Sequence, residues 1–317
     1  MIQIKNIALR LVIYIALSGS LVFSGCLGGG AKPSPKHLSA GSVQSNKGMS
    51  MLNHGCNKKA LEYFMRALEL YTAAGQTNGV AESLNNLGAA YRAINEYKSA
   101  KAFFLEAATL YKNEDNLKGL RQTLTNLAAL EVRRGNLKKA QKILDKAKAI
   151  KINNETSPFI PILINQAVIY IKTEDYPKAE NFLYRAFLKA DQNNSAQMSA
   201  LYFSLGSLWL ETSEYKKAVA SFEKAFKADQ KTGFYAGMAE DLFMLGNSWS
   251  KAGKPEKAIQ FWKQAVGIYA LLENQEKCSN IMEKLENAAE KSGISLEVTR
   301  LFVEQWLKGL AITAPCK

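Results

Sequence analysis

The feature that most limits what this 317-residue chain can fold into is a unit that recurs six times. Its centre is Ala-x3-(Phe/Leu/Trp)-x2-Ala: Ala60, Phe64, Ala67; Ala100, Phe104, Ala107; Ala140, Leu144, Ala147; Ala179, Leu183, Ala186; Ala218, Phe222, Ala225; and Ala258, Trp262, Ala265. The steps between units are 40, 40, 39, 39 and 40 residues, and twelve residues before each first alanine stands Gly48, Gly88, Ala128, Ala167, Gly206 or Gly246. Three residues further on comes Met51, Tyr91, Glu131, Tyr170, Trp209 or Trp249, with Leu130 available as the substitute where Glu131 breaks the pattern. Spacings of three, four and seven keep these residues on one face of a helix. Loop signals divide each unit: Asn95-Glu96, Gly135-Asn136, Asp175-Tyr176-Pro177, Ser213-Glu214 and Gly253-Lys254-Pro255. Pro177 and Pro255 stand where a second helix begins, a position that needs no backbone N–H. The reading is a pair of antiparallel helices per unit, with small residues allowing close approach and an aromatic filling the space between. Composition agrees, since 7 prolines and 21 glycines are few for a fold of many short strands. The fold class is all-α.

The pattern resembles the tetratricopeptide repeat, as in Leu87-Gly88-x2-Tyr91 followed by Tyr97-x2-Ala100-x3-Phe104-x2-Ala107. The resemblance covers residues 41 to about 275 and implies a right-handed superhelical α-α solenoid of six helical hairpins. Two departures, a period longer than the usual 34 and the missing repeat-ending proline, imply longer helices resembling the kinesin-light-chain type. Residues 276–317 read as capping helices: one from Gln275 to Lys291 closed by Gly293, and one with Ser295 as N-cap and Val298, Leu301, Phe302 and Trp306 on one face. A solenoid needs such a cap to cover its last apolar face.

Residues 1–25 read as a targeting segment, with Lys5 and Arg10 before the apolar run Leu11 to Leu17, which is too short to span a membrane. Ser24-Gly25-Cys26 resembles the lipobox of bacterial lipoproteins, with Phe23 in place of the usual leucine. The resemblance implies that Cys26 is lipidated, a palmitate-type anchor tethering the mature chain to a membrane. Residues 26–40, with Gly28-Gly29-Gly30, Pro33 and Pro35, have the composition of a flexible spacer. Leu27 after the acceptor resembles lipoproteins sorted to the outer membrane, which gives an extracytoplasmic location. The net charge of +13 is uneven: residues 1–61 hold seven Lys/Arg and no carboxylate before Glu62. This basic arm reads as a solvated linker.

Little in the sequence points to chemistry. The two histidines, His37 and His54, leave almost no imidazole for acid/base work, and no phosphate loop, zinc-protease or nucleophile-elbow motif is present. His54 and Cys56 lack a third metal ligand, so no metal and no cofactor is expected. Lys138, Lys139, Lys142, Lys146, Lys148 and Lys151 form a solvated face without the aromatic interleaving of a nucleic-acid groove, and no nucleic-acid partner is expected. Cys278 and Cys316 have two readings: a disulfide pinning the last helix, which leaves Cys56 free, or buried thiols.

The binding signal is a row of asparagines two residues before the small residue: Asn46, Asn86, Asn126 and Asn165, continued by Ser204 and Met244. In the repeat family resembled here, first helices line the concave surface, and some members hold an extended peptide with such a ladder. Arg92, Arg133 and Lys172 then favour acidic peptide side chains, and Phe203 and Phe243 apolar ones. The expected function is a lipid-anchored envelope scaffold or assembly factor binding protein or peptide partners, with no catalysis. The alternatives are a cytoplasmic peptide-sensing regulator and an enzyme with an unrecognised site.

Overall fold

A computed structural model describes residues 36–152 and 159–316, with side chains from residue 40 onward. Cys26, residues 1–25 and most of the expected spacer lie outside the described residues. Among the described residues there are fourteen α-helices and no strand. They are α1 (Lys36–Asn53), α2 (Asn57–Ala73), α3 (Thr77–Ala93), α4 (Tyr97–Asn113), α5 (Leu117–Arg133), α6 (Leu137–Ala149) and α7 (Ile160–Lys172). There follow α8 (Tyr176–Lys189), α9 (Ser195–Glu211), α10 (Tyr215–Thr232), α11 (Tyr235–Lys251), α12 (Pro255–Leu271), α13 (Gln275–Ser292) and α14 (Glu297–Leu307). The first helix starts at Lys36, inside the stretch that reads as spacer.

Helices α2 to α5 are each 17 residues long, matching the long period, whereas α6, α7 and α8 shorten to 13, 13 and 14. Each first-to-second helix turn passes through one residue with positive φ: Gly55, Asn95, Gly135, Glu174, Ser213 and Gly253. These recur at the same steps as the alanines, because an antiparallel hairpin with a tight turn needs one left-handed residue to end its first helix. Four asparagine or aspartate caps then start helices by accepting a backbone N–H: Asn116 from Gly119, Asp175 from Lys178, Asn194 from Gln197 and Asn274 from Lys277.

Within a hairpin the small residue of the first helix faces the large residue of the second. A Cβ on Gly88 would lie 2.7 Å from the Phe104 ring, and one on Gly48 2.6 Å from Phe64. The rings of Phe64, Phe104 and Phe222 are wholly buried, as are all twelve motif alanines. Adjacent first helices touch one another, α1 with α3, α3 with α5, α5 with α7 and α7 with α9, so they form the inner, concave layer of a helical solenoid.

The last helix differs from expectation. Val298 and Leu301 are 73% and 57% exposed, and the buried positions of α14 are Thr299 and Val303. Phe302 and Trp306 are half-buried, 4.7 Å apart by centroid, each 3.6 Å from the space where a Gly267 side chain would stand. The helix therefore packs on α12 with a face rotated from the one the spacing suggests. The cysteine pairing is also corrected: Cys56 bonds Cys316 across 260 residues, and Cys278 is a buried free thiol. Spacing along the chain could not show this, because Cys56 and Cys316 meet only through the curvature of the whole array.

Candidate functional site

That curvature brings the first two hairpins against the last three. The turn after α1 places His54 5.8 Å from the Tyr235 ring, and a Cβ on Gly55 would meet Ala236 at 3.0 Å and Leu272 at 3.1 Å. Lys58 stands 3.9 Å from Glu273. In the next turn, Asn95 donates to Glu276 Oε2 at 2.8 Å while its own Oδ1 accepts from Arg133 and from the Tyr97 hydroxyl. Turns along one edge of the array thus meet turns along the other edge, forming a seam beside the concave surface.

Arg92 and Arg133 end α3 and α5 near this seam. Arg133 is exposed and donates to Tyr97 Oη and Asn95 Oδ1, each at 3.2 Å. The Arg92 guanidinium is pushed down to about 10, first by desolvation and then by the charge of Arg133. It stays protonated at neutral pH. Among the described residues no carboxylate forms an ion pair with Arg92, and the charge that bears on it is that of Arg133. Lys172, at the end of α7, is exposed.

The asparagine row does not stand free. Asn86 is 5% exposed and accepts from Asn85 at 3.4 Å. Asn126 donates to Asn85 Oδ1 at 3.1 Å and accepts from Gln122 at 3.2 Å, and Asn165 donates to the Thr125 carbonyl at 3.4 Å. Thr123 also donates to Asn85 Oδ1, at 3.1 Å. Asn126 and Asn165 therefore stitch α3, α5 and α7 together, Asn86 bonds only its neighbour Asn85 on α3, and of the four only Asn46 is exposed. Asn126 and Asn165, half-buried between first helices, find their partners within the inner layer, whereas the buried Asn86 Nδ2 finds none among the described residues. Asn85, the hub, lies one residue from the row, and the threonines at 123 and 125 were the signal that a polar cluster replaces apolar packing here.

Phe203 and Phe243 are half-buried rather than free. Phe203 meets Phe222 edge to face at 5.5 Å, and the Phe243 ring lies under Lys277 and Lys284, each 5.9 Å from its centroid. Beside them Glu240 accepts from Tyr269 Oη at 2.5 Å and from Lys277 Nζ at 2.7 Å. Burial, then the Glu240 charge, pushes the Tyr269 hydroxyl far up.

A second unforeseen group is acidic. Asp241 on α11 is 1% exposed, and neither carboxylate oxygen has a hydrogen-bond partner among the described residues. Desolvation, then the charges of Asp229 and Glu240, pushes it up to about 9, while burial raises Asp229 to about 6 against a hydrogen bond from Ser199. Asp229 occupies the register of Tyr71, Tyr111 and Tyr269 in other hairpins, and that single acid in an aromatic register was the available signal.

The six lysines of the 138–151 stretch are all exposed, and Lys139 pairs with Glu131 at 2.9 Å. Among the described residues no helix is long and apolar enough to cross a membrane, and no group of three or more metal-ligating side chains assembles.

No curated protein sequence matches the chain. Solved structures similar to it include BtubC (BKLC) from P. vanneervenii, at 20% identity over 76% of this chain and 94% of that one, with a TM-score of 0.47. The APC/C hetero-tetramer Cut9-Hcn1 gives 13% identity over 86% and 57%, with a TM-score of 0.49. YrrB, a TPR protein with an unusual peptide-binding site, gives 17% identity over 64% and 92%, with a TM-score of 0.34. Family models of the tetratricopeptide repeat match residues 39–113 and 199–232, so the chain carries tetratricopeptide repeats across α1 to α4 and again across α9 and α10.

Proposed function

We propose that the chain is a non-catalytic binding protein whose concave surface takes an acidic peptide or protein segment near the ends of α3 and α5. The observation that carries this reading is that Arg92 and Arg133 stand in the last turns of α3 and α5, with no ion pair at Arg92 among the described residues. Bringing two cations together costs free energy, and a ligand carboxylate offsets that cost through charge-assisted hydrogen bonds of fixed geometry. Lys172 extends the basic surface, while Phe203 and Phe243 present partly exposed rings for apolar residues of the ligand. Asn126 and Asn165 act indirectly by fixing the inner helices that carry the arginines. Asn46 is the member of the row with an exposed carboxamide.

The test is fluorescence anisotropy with labelled ten-residue peptides, one set rich in Asp and Glu and a neutral set of equal hydrophobicity. Acidic peptides should bind more tightly, with affinity falling as salt rises, and the double substitution Arg92→Ala, Arg133→Ala should weaken binding about tenfold or more, or about 1.4 kcal/mol. Equal binding of acidic and neutral peptides would remove this reading.

The cellular setting proposed is an extracytoplasmic membrane surface, with the chain anchored as a bacterial lipoprotein through Cys26. Scaffolding or assembly in the cell envelope follows from such an anchor, and the long helices fit repeats of the kinesin-light-chain type. The Cys56–Cys316 bridge supports an oxidising compartment, where disulfides persist. Cys26→Ser should abolish incorporation of labelled palmitate and release the protein from membranes. Equal labelling of both forms would sink the anchor.

A further inference from the structure

From the seam we infer that Cys56–Cys316 is a redox latch: oxidised, it holds the first hairpins against the last ones; reduced by a dithiol, it lets the superhelix open along that seam and widen access to the concave surface. The consequence for ligand access rests on the binding function proposed above. The opening itself does not.

Three observations lead there. First, the noncovalent seam is thin. Lys58 and Glu273 are 83% and 48% exposed at 3.9 Å, and such a pair contributes little in water. Asn95 to Glu276 is a single exposed hydrogen bond, and His54 to Tyr235 is a tilted ring contact. Second, no buried apolar cluster bridges the seam among the described residues. The cluster around Phe64 and Leu87 draws on α1 to α4, and the one around Trp262 and Ile281 draws on α9 to α14. The hairpins within each end are therefore held far more strongly than the ends are held to one another. Third, the bridge sits at the seam and nowhere within a hairpin, closing 260 residues of chain. Gly55, next to Cys56, packs closely on the far end: a Cβ there would lie 3.0 Å from Ala236 and 3.1 Å from Leu272, whereas the equivalent Gly135 and Gly253 face open space.

The exchange is balanced by the reductant. A thiolate of the dithiol attacks the half-buried Cys316 sulfur, Cys56 leaves as a thiolate and takes a proton, and the second thiol of the reductant displaces Cys316. The bridge gains two electrons and two protons as the reductant becomes a disulfide. Cys278 stays out of this chemistry: burial pushes its thiol up to about 12, and the group is closed to solvent.

The test uses the full chain without any peptide, as oxidised protein, protein reduced with dithiothreitol, and the variant Cys56→Ser. Small-angle X-ray scattering should show a larger radius of gyration after reduction, reversed on reoxidation, with helical circular dichroism unchanged. Amide hydrogen exchange at residues 54–58, 93–97 and 271–276 should rise about tenfold or more, equivalent to about 1.4 kcal/mol of lost closure. Cys56→Ser should behave as the reduced protein under oxidising conditions. Identical scattering and exchange in all three forms would overturn the latch. So would loss of helicity on reduction, which would make the bridge a plain structural staple. An opening that leaves acidic-peptide binding absent would keep the latch and sink the binding reading.

Discussion

Gly88 and Phe104 divide one volume between them, and the other hairpins divide it the same way. A Cβ on the glycine would lie 2.7 Å from the ring here and for Gly206 with Phe222, and 2.3 Å for Gly246 with Trp262. Where the second helix carries the smaller Leu144 or Leu183, the first helix carries Ala128 or Ala167. The methyl group returns when the ring is gone. Gly88→Ala should therefore destabilise by about 1–3 kcal/mol through overpacking, and Phe104→Leu by a similar amount through lost burial. The double variant, reproducing the pair found at residues 128 and 144, should be more stable than the sum of the single effects by at least about 1 kcal/mol in urea unfolding. Strict additivity would refute the shared volume. Glu131 obeys a similar rule in another chemistry. The residue before the first alanine sets a cation over the aromatic in three hairpins, Lys178 over Tyr170, Lys217 over Trp209 and Lys257 over Trp249. At residue 131 the same cation, Lys139, meets a carboxylate. Burial pushes the Glu131 carboxyl up, but hydrogen bonds from Lys139 and Asn136 and the nearby Arg134 charge outweigh it and hold the group below its usual value.

Helix positions were legible in the sequence because hairpin packing is local: alanine, aromatic and turn residues that touch lie within one 40-residue unit. The capping end was less so. Val298 and Leu301 are apolar at helical spacing, yet both are exposed while Thr299 and Val303 are buried and Phe302 and Trp306 lie against Gly267 of α12, because no following hairpin continues the repeat's geometry. The α10 and α11 contact was not legible either, since it buries Asp229 against α11 where Gly237 leaves space for it, and places Asp241 close by. Asp241 is neutral in the folded protein up to about 9, but an unfolded aspartate ionises near 4. Between those values the unfolded chain binds fewer protons than the folded one, so stability falls as pH rises through that window and is unpenalised below it. Asp229, raised to about 6, adds to the fall in its lower part. Asp241→Asn cannot ionise and should raise stability at pH 8 by roughly 1–3 kcal/mol, the scale of a buried polar mismatch. The gain should vanish near pH 4 in thermal melts. A pH-independent gain would mean that packing, rather than charge, is at fault.

At the scale of the whole molecule, stability is set by how the ends are joined. A repeat array is a sum of hairpins and nearest-neighbour interfaces, so its terminal units fray first. Small rotations between successive hairpins accumulate until α1 and α2 face α11 to α13, and this sum over many interfaces is why the Cys56–Cys316 pairing could not be read from spacing. Joining the ends removes fraying as a separate event, because α1 and α2 cannot leave while Cys56 is bonded to Cys316. In the chain-entropy account, a closed loop of this size stabilises by up to roughly 5 kcal/mol. The oxidised protein should therefore unfold in urea as one transition. After reduction, the peptide amides of α1 and α2 should exchange at lower urea than those of α9 to α12, whose shared apolar cluster includes Trp262. Following exchange helix by helix across a urea series checks this. If α1 and α2 lose protection at the same urea concentration as α9 to α12 in the reduced protein, the array is held together by its interfaces alone. The disulfide would then contribute nothing to cooperativity.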